Sequence, residues 1–269
     1  MFRRQLLSLA VAGVVASSAL LTGCGGDKAA EIKVGATAGP HAAIVNEAAK
    51  VAQKDGLKVT VVEFTDYISP NRALADKSLD ANVYQHGPFL ANFNKNQGTD
   101  LQKIADAVVQ PMGFYSNKIH SLETIPEGAT ISIPNDPTNG GRALLLIQAS
   151  GLIKLKDGVT GNTATPADIV ENPKNIKVVE LEAAQLPRSL DDVDIAAIPM
   201  NYVISANLSP EKQGFYFESR EAPFALMIIA ARPDNAKDVN IQKFVKAYQS
   251  PEVKEFIDKT FKGAVKAAW

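Results

Sequence analysis

The chain has 269 residues, a formal net charge of −1 and a single cysteine. One cysteine excludes any disulfide within the chain, so the body must be held together by burial. The balance of 28 basic against 29 acidic residues argues against nucleic acid and against a polybasic membrane contact.

The first residues point out of the cytoplasm. Arg3 and Arg4 make a short basic start, residues 6–21 are apolar and uncharged, and Leu21-Thr22-Gly23-Cys24 follows. A basic region, an apolar run and small residues before a cut describe a secretory signal. The run is short for a membrane span, which needs roughly 20 residues. Cleavage before Cys24 makes that residue the new N-terminus, where its thiol suits thioether attachment of a diacylglycerol. Leu-Thr-Gly-Cys also resembles the bacterial lipobox, in which the new amino group is usually acylated too, and two or more acyl chains anchor stably. The expected layout is a signal peptide over 1–23 and a lipidated tether over 24–30, with the body in the periplasm or extracytoplasmic space. Loss of Arg3 and Arg4 leaves 26 basic against 29 acidic residues.

The body alternates strand and helix patterns. Residues 31–36 alternate with period 2 and predict a strand. A helix over 42–54 stops at Gly56, and a β-branched strand over 57–64 follows. Next come a helix over 71–78, a strand over 81–85, a helix over 88–97 closed by Gly98, and a strand over 101–109 ending at Pro111. The pattern then restarts: strand 129–133, helix 142–150 ending at Gly151, and strands 176–181 and 195–198. A strongly apolar strand over 224–230 and helices over 243–248 and 253–260 close the chain. Repeated β-α-β units imply an α/β fold of mainly parallel sheets flanked by helices. Two such sets suggest two lobes, 31–110 with 224–269 and 111–223, crossing near 109–111 and 221–224; the rival is one continuous sheet. No second stretch is apolar and long enough to span a bilayer.

Ligands of such sheets sit beyond the carboxyl ends of the strands, so the loops there carry the chemistry. They read Ala38-Gly39-Pro40-His41, Thr65 to Asn71, Tyr84-Gln85-His86-Gly87-Pro88-Phe89, and Pro134-Asn135-Asp136-Pro137-Thr138-Asn139-Gly140-Gly141-Arg142. In the last loop Asn139 or Thr138 is positioned to cap a helix beginning near Gly140, whose free N–H groups attract anions. Gly140 and Gly141 would let a ligand approach the backbone. Arg142 in the first turn opposes the helix dipole and wants an anion; its fork matches a carboxylate. Arg142 with Asn139 therefore holds a ligand carboxylate, or Arg142 pairs with Asp136; the residues leave both open. Tyr67, Tyr84 and Phe89 offer flat rings, the two tyrosines with polar tips, suited to an apolar or thioether side chain. His86 either faces a ligand or satisfies local backbone groups. Hydrolase, zincin and phosphate-loop signatures are absent. Three histidines without clustered partners do not make a metal site, and no cofactor is expected.

These motifs together resemble those of the MetQ/NlpA methionine-binding lipoproteins. The resemblance rests on Phe64-Thr65-Asp66-Tyr67 with Pro70-Asn71, Asp80-Ala81-Asn82 with Gln85-His86, the segment from Pro134 to Asn139 with Arg142, and Gln185-Leu186-Pro187-Arg188, and runs from the lipobox to Trp269. It implies a two-lobed, type II-like periplasmic-binding-protein fold and a non-enzymatic carrier that delivers L- or D-methionine, or related small ligands, to the permease and ATPase of an ABC importer. Carried over, Arg142 and Asn139 hold the carboxylate, Tyr67, Tyr84, His86 and Phe89 surround the side chain, and Phe224 lines the cleft. Leu226 and Pro199 stand where many members have Asn, which helps hold the ligand's amino group; Asn201 is the nearest substitute. A different small amino acid or methionine relative is the alternative cargo, and a surface adhesin without a ligand the remoter one.

Overall fold

The computed structural model describes residues 30–269. The signal peptide, Cys24 and all but the last residue of the tether lie outside the described residues. No helix among the described residues is long and apolar enough to cross a membrane.

The first part of the chain runs β1 (Ala30–Thr37), α1 (Pro40–Lys54), β2 (Leu57–Phe64), α2 (Ser69–Ala75), β3 (Ala81–His86), α3 (Gly87–Gln97) and β4 (Gln102–Val109). The middle runs β5 (Met112–Tyr115), β6 (Thr130–Pro134), α4 (Pro137–Ala149), β7 (Lys154–Leu155), β8 (Ile169–Glu171), β9 (Lys177–Leu181), α5 (Leu186–Ser189), β10 (Ile195–Pro199), α6 (Met200–Ser205), α7 (Pro210–Gln213) and β11 (Gly214–Phe217). The chain closes with β12 (Leu226–Ala231), α8 (Val239–Tyr248), α9 (Pro251–Phe261) and β13 (Lys266–Ala267). Most helices begin earlier than their apolar periodicity suggests. Pro40, Pro70, Pro88, Pro137 and Pro251 each occupy a first-turn position, where a missing N–H costs no helical bond.

Two main sheets result, not one. The first has the order β13-β4-β12-β3-β1-β2 and the second β11-β5-β10-β6-β9. β1 is parallel to β2 and β3, and β6 to β9 and β10. Each sheet also takes in one antiparallel strand that directly follows a crossing: β12 between β3 and β4, and β5 between β10 and β11. The short strands β5 and β11, four residues each, carry too few residues to show a period.

Alternation along the strands fills both faces. In the second sheet Ile131, Ile133, Ile195 and Ala197 pack under α4 with Leu144 and Ile147. Ala196 and Ile198 face the other way, towards Leu186, Leu190 and Val203 of α5, α6 and the turn after α5. In the first sheet Val34 and Ala36 pack with Ile44 of α1, Phe244 of α8 and Ile257 of α9. Its opposite face covers Leu74, Leu90 and Phe93.

The chain passes from the first sheet to the second through Gln110 and Pro111 and returns over 218–225. The two passages lie side by side. Gln110 N donates to Ala225 O at 2.8 Å, and Glu218 N to Met112 O at 3.0 Å.

Candidate functional site

The carboxyl ends of the parallel strands of both sheets face each other across one narrow, closed pocket with free space of about 20 Å³, so a ligand enters only when the walls part. Tyr67 comes from the loop after β2, Tyr84, Gln85 and His86 from β3, and Phe89 from α3. Asn139 and Arg142 come from α4, and Pro199, Met200 and Asn201 from the end of β10 and the start of α6. Gln110 of the crossing and Met227 of β12 complete the wall. Seven of the eight residues singled out in the sequence thus meet in one place. The eighth, Phe224, stands behind it, its ring 5.3 Å from that of His86 and nearly perpendicular.

A buried amide cluster fixes the first wall. Asn71 Nδ2 donates to Gln85 Oε1 at 2.7 Å, Gln85 Nε2 to Asn71 Oδ1 at 2.7 Å, and Asn82 Nδ2 to Asn71 Oδ1 at 2.9 Å. This ties the loop bearing Tyr67 onto β3, so these amides work as support. The Tyr84 hydroxyl donates to Tyr67 O at 2.8 Å. The rings of Tyr67, Tyr84 and Phe89 lie with centroids 6.1 Å apart, pair by pair, which leaves an aromatic recess. Burial raises the Tyr67 and Tyr84 hydroxyls well above their usual pKa, so both stay protonated.

His86 serves the protein at both nitrogens. It caps α3, its Nδ1 accepting from Phe89 N at 3.1 Å. Nε2 therefore carries the hydrogen and donates across the cleft to Asn139 Oδ1 at 3.2 Å. Burial, helped by the nearby Arg142 charge, lowers its pKa to about 3. Buried His41, at the start of α1, is lowered by burial to about 4. Both depressed histidines make stability depend on pH. The unfolded chain takes up their protons below about 6.5 and the folded chain does not, so this stability is complete above that pH and lost on acidification. Lowering the pH from 7 to 5 is expected to remove roughly 4 kcal/mol of unfolding free energy from the two together. Urea unfolding at the two pH values checks this; an unchanged midpoint would show that both rings are protonated in the fold, and half the loss that one is.

The loop before α4 differs from its sequence reading. The helix starts at Pro137, and its cap is Asp136, whose Oδ1 accepts from Asn139 N at 2.9 Å. Asn139 Nδ2 and Thr138 Oγ1 also donate to Asp136. The anion at this helix end is thus Asp136, whose pKa burial raises against these hydrogen bonds. Gly140 and Gly141 do not line the pocket. A Cβ on Gly141 would lie 2.4 Å from Gly161 O, and one on Gly140 2.8 Å from Pro134 O. The glycine pair lets α4 press against neighbouring backbone.

Arg142 sits in the second turn of α4, 3% exposed. Its carboxylate partner is Glu218, not Asp136. Nε donates to Glu218 Oε2 at 3.0 Å and Oε1 at 3.1 Å, and Nη2 donates to Oε1. Nη2 also donates to Gln110 O at 3.1 Å, and Nη1 to Asn139 Oδ1 at 3.4 Å. One of the five guanidinium N–H groups, on Nη1, is left over. Two more donors are unspent: the buried Gln110 Nε2 and Asn201 Nδ2 have no hydrogen-bond partner. Unsatisfied buried donors are costly, and three of them converging on one pocket are a demand for acceptors.

Contacts between the two sheets' elements hold the pocket shut. The Tyr67 hydroxyl donates to Asn201 Oδ1 at 2.7 Å, the Tyr202 hydroxyl to Thr65 O at 3.1 Å, and Ser205 Oγ to Ala38 O at 3.2 Å. Gly39, at φ 94°, comes so close to α6 that a Cβ there would overlap Ser205 Oγ. Of the two sequence departures, Pro199 lines the pocket and Leu226 does not. Pro187 and Arg188 line a separate groove with Thr65 and Tyr202. Among the described residues no three His, Cys, Asp or Glu side chains gather to hold a metal. Gln110, Met200, Met227 and Glu218 escaped the sequence reading. Gln110 and Glu218 lie on the crossings, which no periodicity marks.

Comparison with known proteins places this geometry in context. The profile of the NlpA lipoprotein family matches residues 32–269. The chain is 46% identical over 267 residues to the D-methionine-binding lipoprotein MetQ of Escherichia coli (strain K12), covering 97% of this chain and 98% of that one. It is 45% identical to the probable D-methionine-binding lipoprotein MetQ of Vibrio cholerae, covering 98% and 99%. A nutrient binding protein from Burkholderia cenocepacia solved with methionine superposes with a TM-score of 0.86 at 48% identity, covering 88% of this chain and 100% of that one.

Proposed function

The chain belongs to the NlpA lipoprotein family, and on that premise we propose that its pocket captures methionine for an ABC importer. The observation that carries the reading is the convergence of two unpartnered amide donors, Gln110 Nε2 and Asn201 Nδ2, with the second N–H of Arg142 Nη1, whose first goes to Asn139, beside the Tyr67, Tyr84 and Phe89 rings. A carboxylate supplies acceptor oxygens to the guanidinium and an amide. A thioether fits the aromatic recess, where sulfur–ring contacts are mildly favourable. The ammonium faces Gln110 Oε1, while Asn201 Oδ1 keeps its bond from the Tyr67 hydroxyl.

Residues 31–110 with 224–269 and residues 111–223 move as two bodies, and the passages at 110–111 and 218–225 absorb the dihedral change. The ligand enters the open form, and the bonds from Tyr67, Tyr202 and Ser205 close it. The closed form docks on the permease while acyl chains at Cys24 hold the protein to the envelope. No covalent chemistry is required of the chain.

A second reading keeps the role and changes the cargo, because Pro199, which has no side-chain amide, lines the pocket at a position where the family resemblance implies one, as it does for Leu226. A thermal-shift screen of the L- and D-amino acids separates the two. Methionine in one or both forms should stand alone at the top; at about a thousandfold over Kd it adds roughly 4 kcal/mol of stability. A different amino acid as the strongest hit would replace the cargo, and no hit at all would remove the carrier role.

A further inference from the structure

Arg142 meets the pocket with only the end of its fork. The side formed by Nε and Nη2, the one suited to two parallel bonds with a carboxylate, is filled by Glu218. Glu218 is itself held: its Oε1 accepts from Met112 N at 2.8 Å, and its backbone N donates to Met112 O. Its side chain is 10% exposed and borders the groove beyond the passages. Arg142 is the sole charged residue of the pocket lining, which has no Asp or Glu. Arg142 and Glu218 together therefore carry no net charge.

We propose that Glu218 is a positioning residue that sets the charge the pocket accepts. By cancelling Arg142 and covering the side of its fork, it favours a zwitterion over an anion of the same skeleton. The proposal rests on the methionine reading of the pocket. It also makes Arg142 a tie between the two passages, since the guanidinium binds Gln110 O on one and Glu218 on the other.

The test is calorimetric titration at neutral pH of wild type, Glu218→Gln and Glu218→Asp with methionine and with its α-hydroxy analogue, an anion that keeps the carboxylate and thioether. Wild type should prefer methionine. Glu218→Gln, which removes the carboxylate paired directly with Arg142 and leaves only the more distant Asp136, should shift the ratio of the two affinities by about tenfold or more towards the hydroxy acid. Glu218→Asp keeps the charge and should keep the preference while weakening both ligands. Equal losses for both ligands in Glu218→Gln, or an unchanged ratio, would overturn the proposal and leave the pocket reading standing. Should Glu218→Gln not fold, wild type decides alone: binding the hydroxy acid as tightly as methionine overturns the proposal. Wild type that binds no methionine defeats the pocket reading itself, and this proposal with it.

Discussion

Arg142→Ala is expected to weaken methionine binding by about a hundredfold or more and to destabilise the empty protein as well. Two separate effects add. The ligand carboxylate loses its charged donor, and truncating one partner of a buried charged pair costs about 2–5 kcal/mol of binding. Glu218, 10% exposed, is left without its counter-charge; breaking a buried pair from one side costs about 3–5 kcal/mol. Titration with methionine measures the first effect and urea unfolding without ligand the second. The double variant Arg142→Met with Glu218→Met separates them. Replacing both charges by apolar groups of similar length should recover much of the stability and none of the binding. A single variant that binds methionine normally would show that the guanidinium does not touch the ligand.

Gly141→Ala is expected to destabilise the protein by about 2 kcal/mol or more, although alanine is the better helix former. Propensity favours alanine by about 1 kcal/mol in a helix interior. Against this, the new Cβ would lie 2.4 Å from Gly161 O, 2.9 Å from Gly161 C and 3.3 Å from Ala164 O. All three are backbone atoms, so no rotamer change relieves the contact, and overpacking costs about 1–3 kcal/mol, occasionally more. Moving α4 away from residues 161–164 also displaces Arg142, which the same helix carries, so methionine affinity should fall along with stability. Gly87→Ala is the control, since a Cβ there meets nothing within 4 Å and its φ is not positive. Its melting temperature should match wild type or rise slightly, whereas that of Gly141→Ala should fall by several degrees. Equal melting temperatures for the two would show that α4 has room to shift freely.

The parts of this architecture that repeat were legible in the sequence. Strands buried on both faces, such as Ile195 to Ile198, read as apolar runs, and helices between them read by period, so the α/β class followed. The pocket residues were found through one topological rule, that loops after parallel strands face the ligand; it led to Tyr67, His86 and Arg142 from three different loops. What the sequence hid depends on contacts far apart in the chain. Glu218 follows three aromatic residues and carries no mark of its pairing with Arg142, 76 positions away. The glycine pair at 140–141 has the same composition whether it admits a ligand or a neighbouring backbone, and only the fold shows that it is the latter. Asp136 competes with Asn139 and Thr138 for one cap, and the geometry of the turn decides it.

The most direct measurement is a crystal structure of the protein grown with methionine. The account predicts the ligand between the two sheets, with its carboxylate on Arg142 Nη1, its thioether among Tyr67, Tyr84 and Phe89, and Glu218 still on Arg142 Nε. Methionine bound elsewhere, for instance in the groove lined by Phe217 and Lys262, with the space beside Arg142 empty, would contradict it.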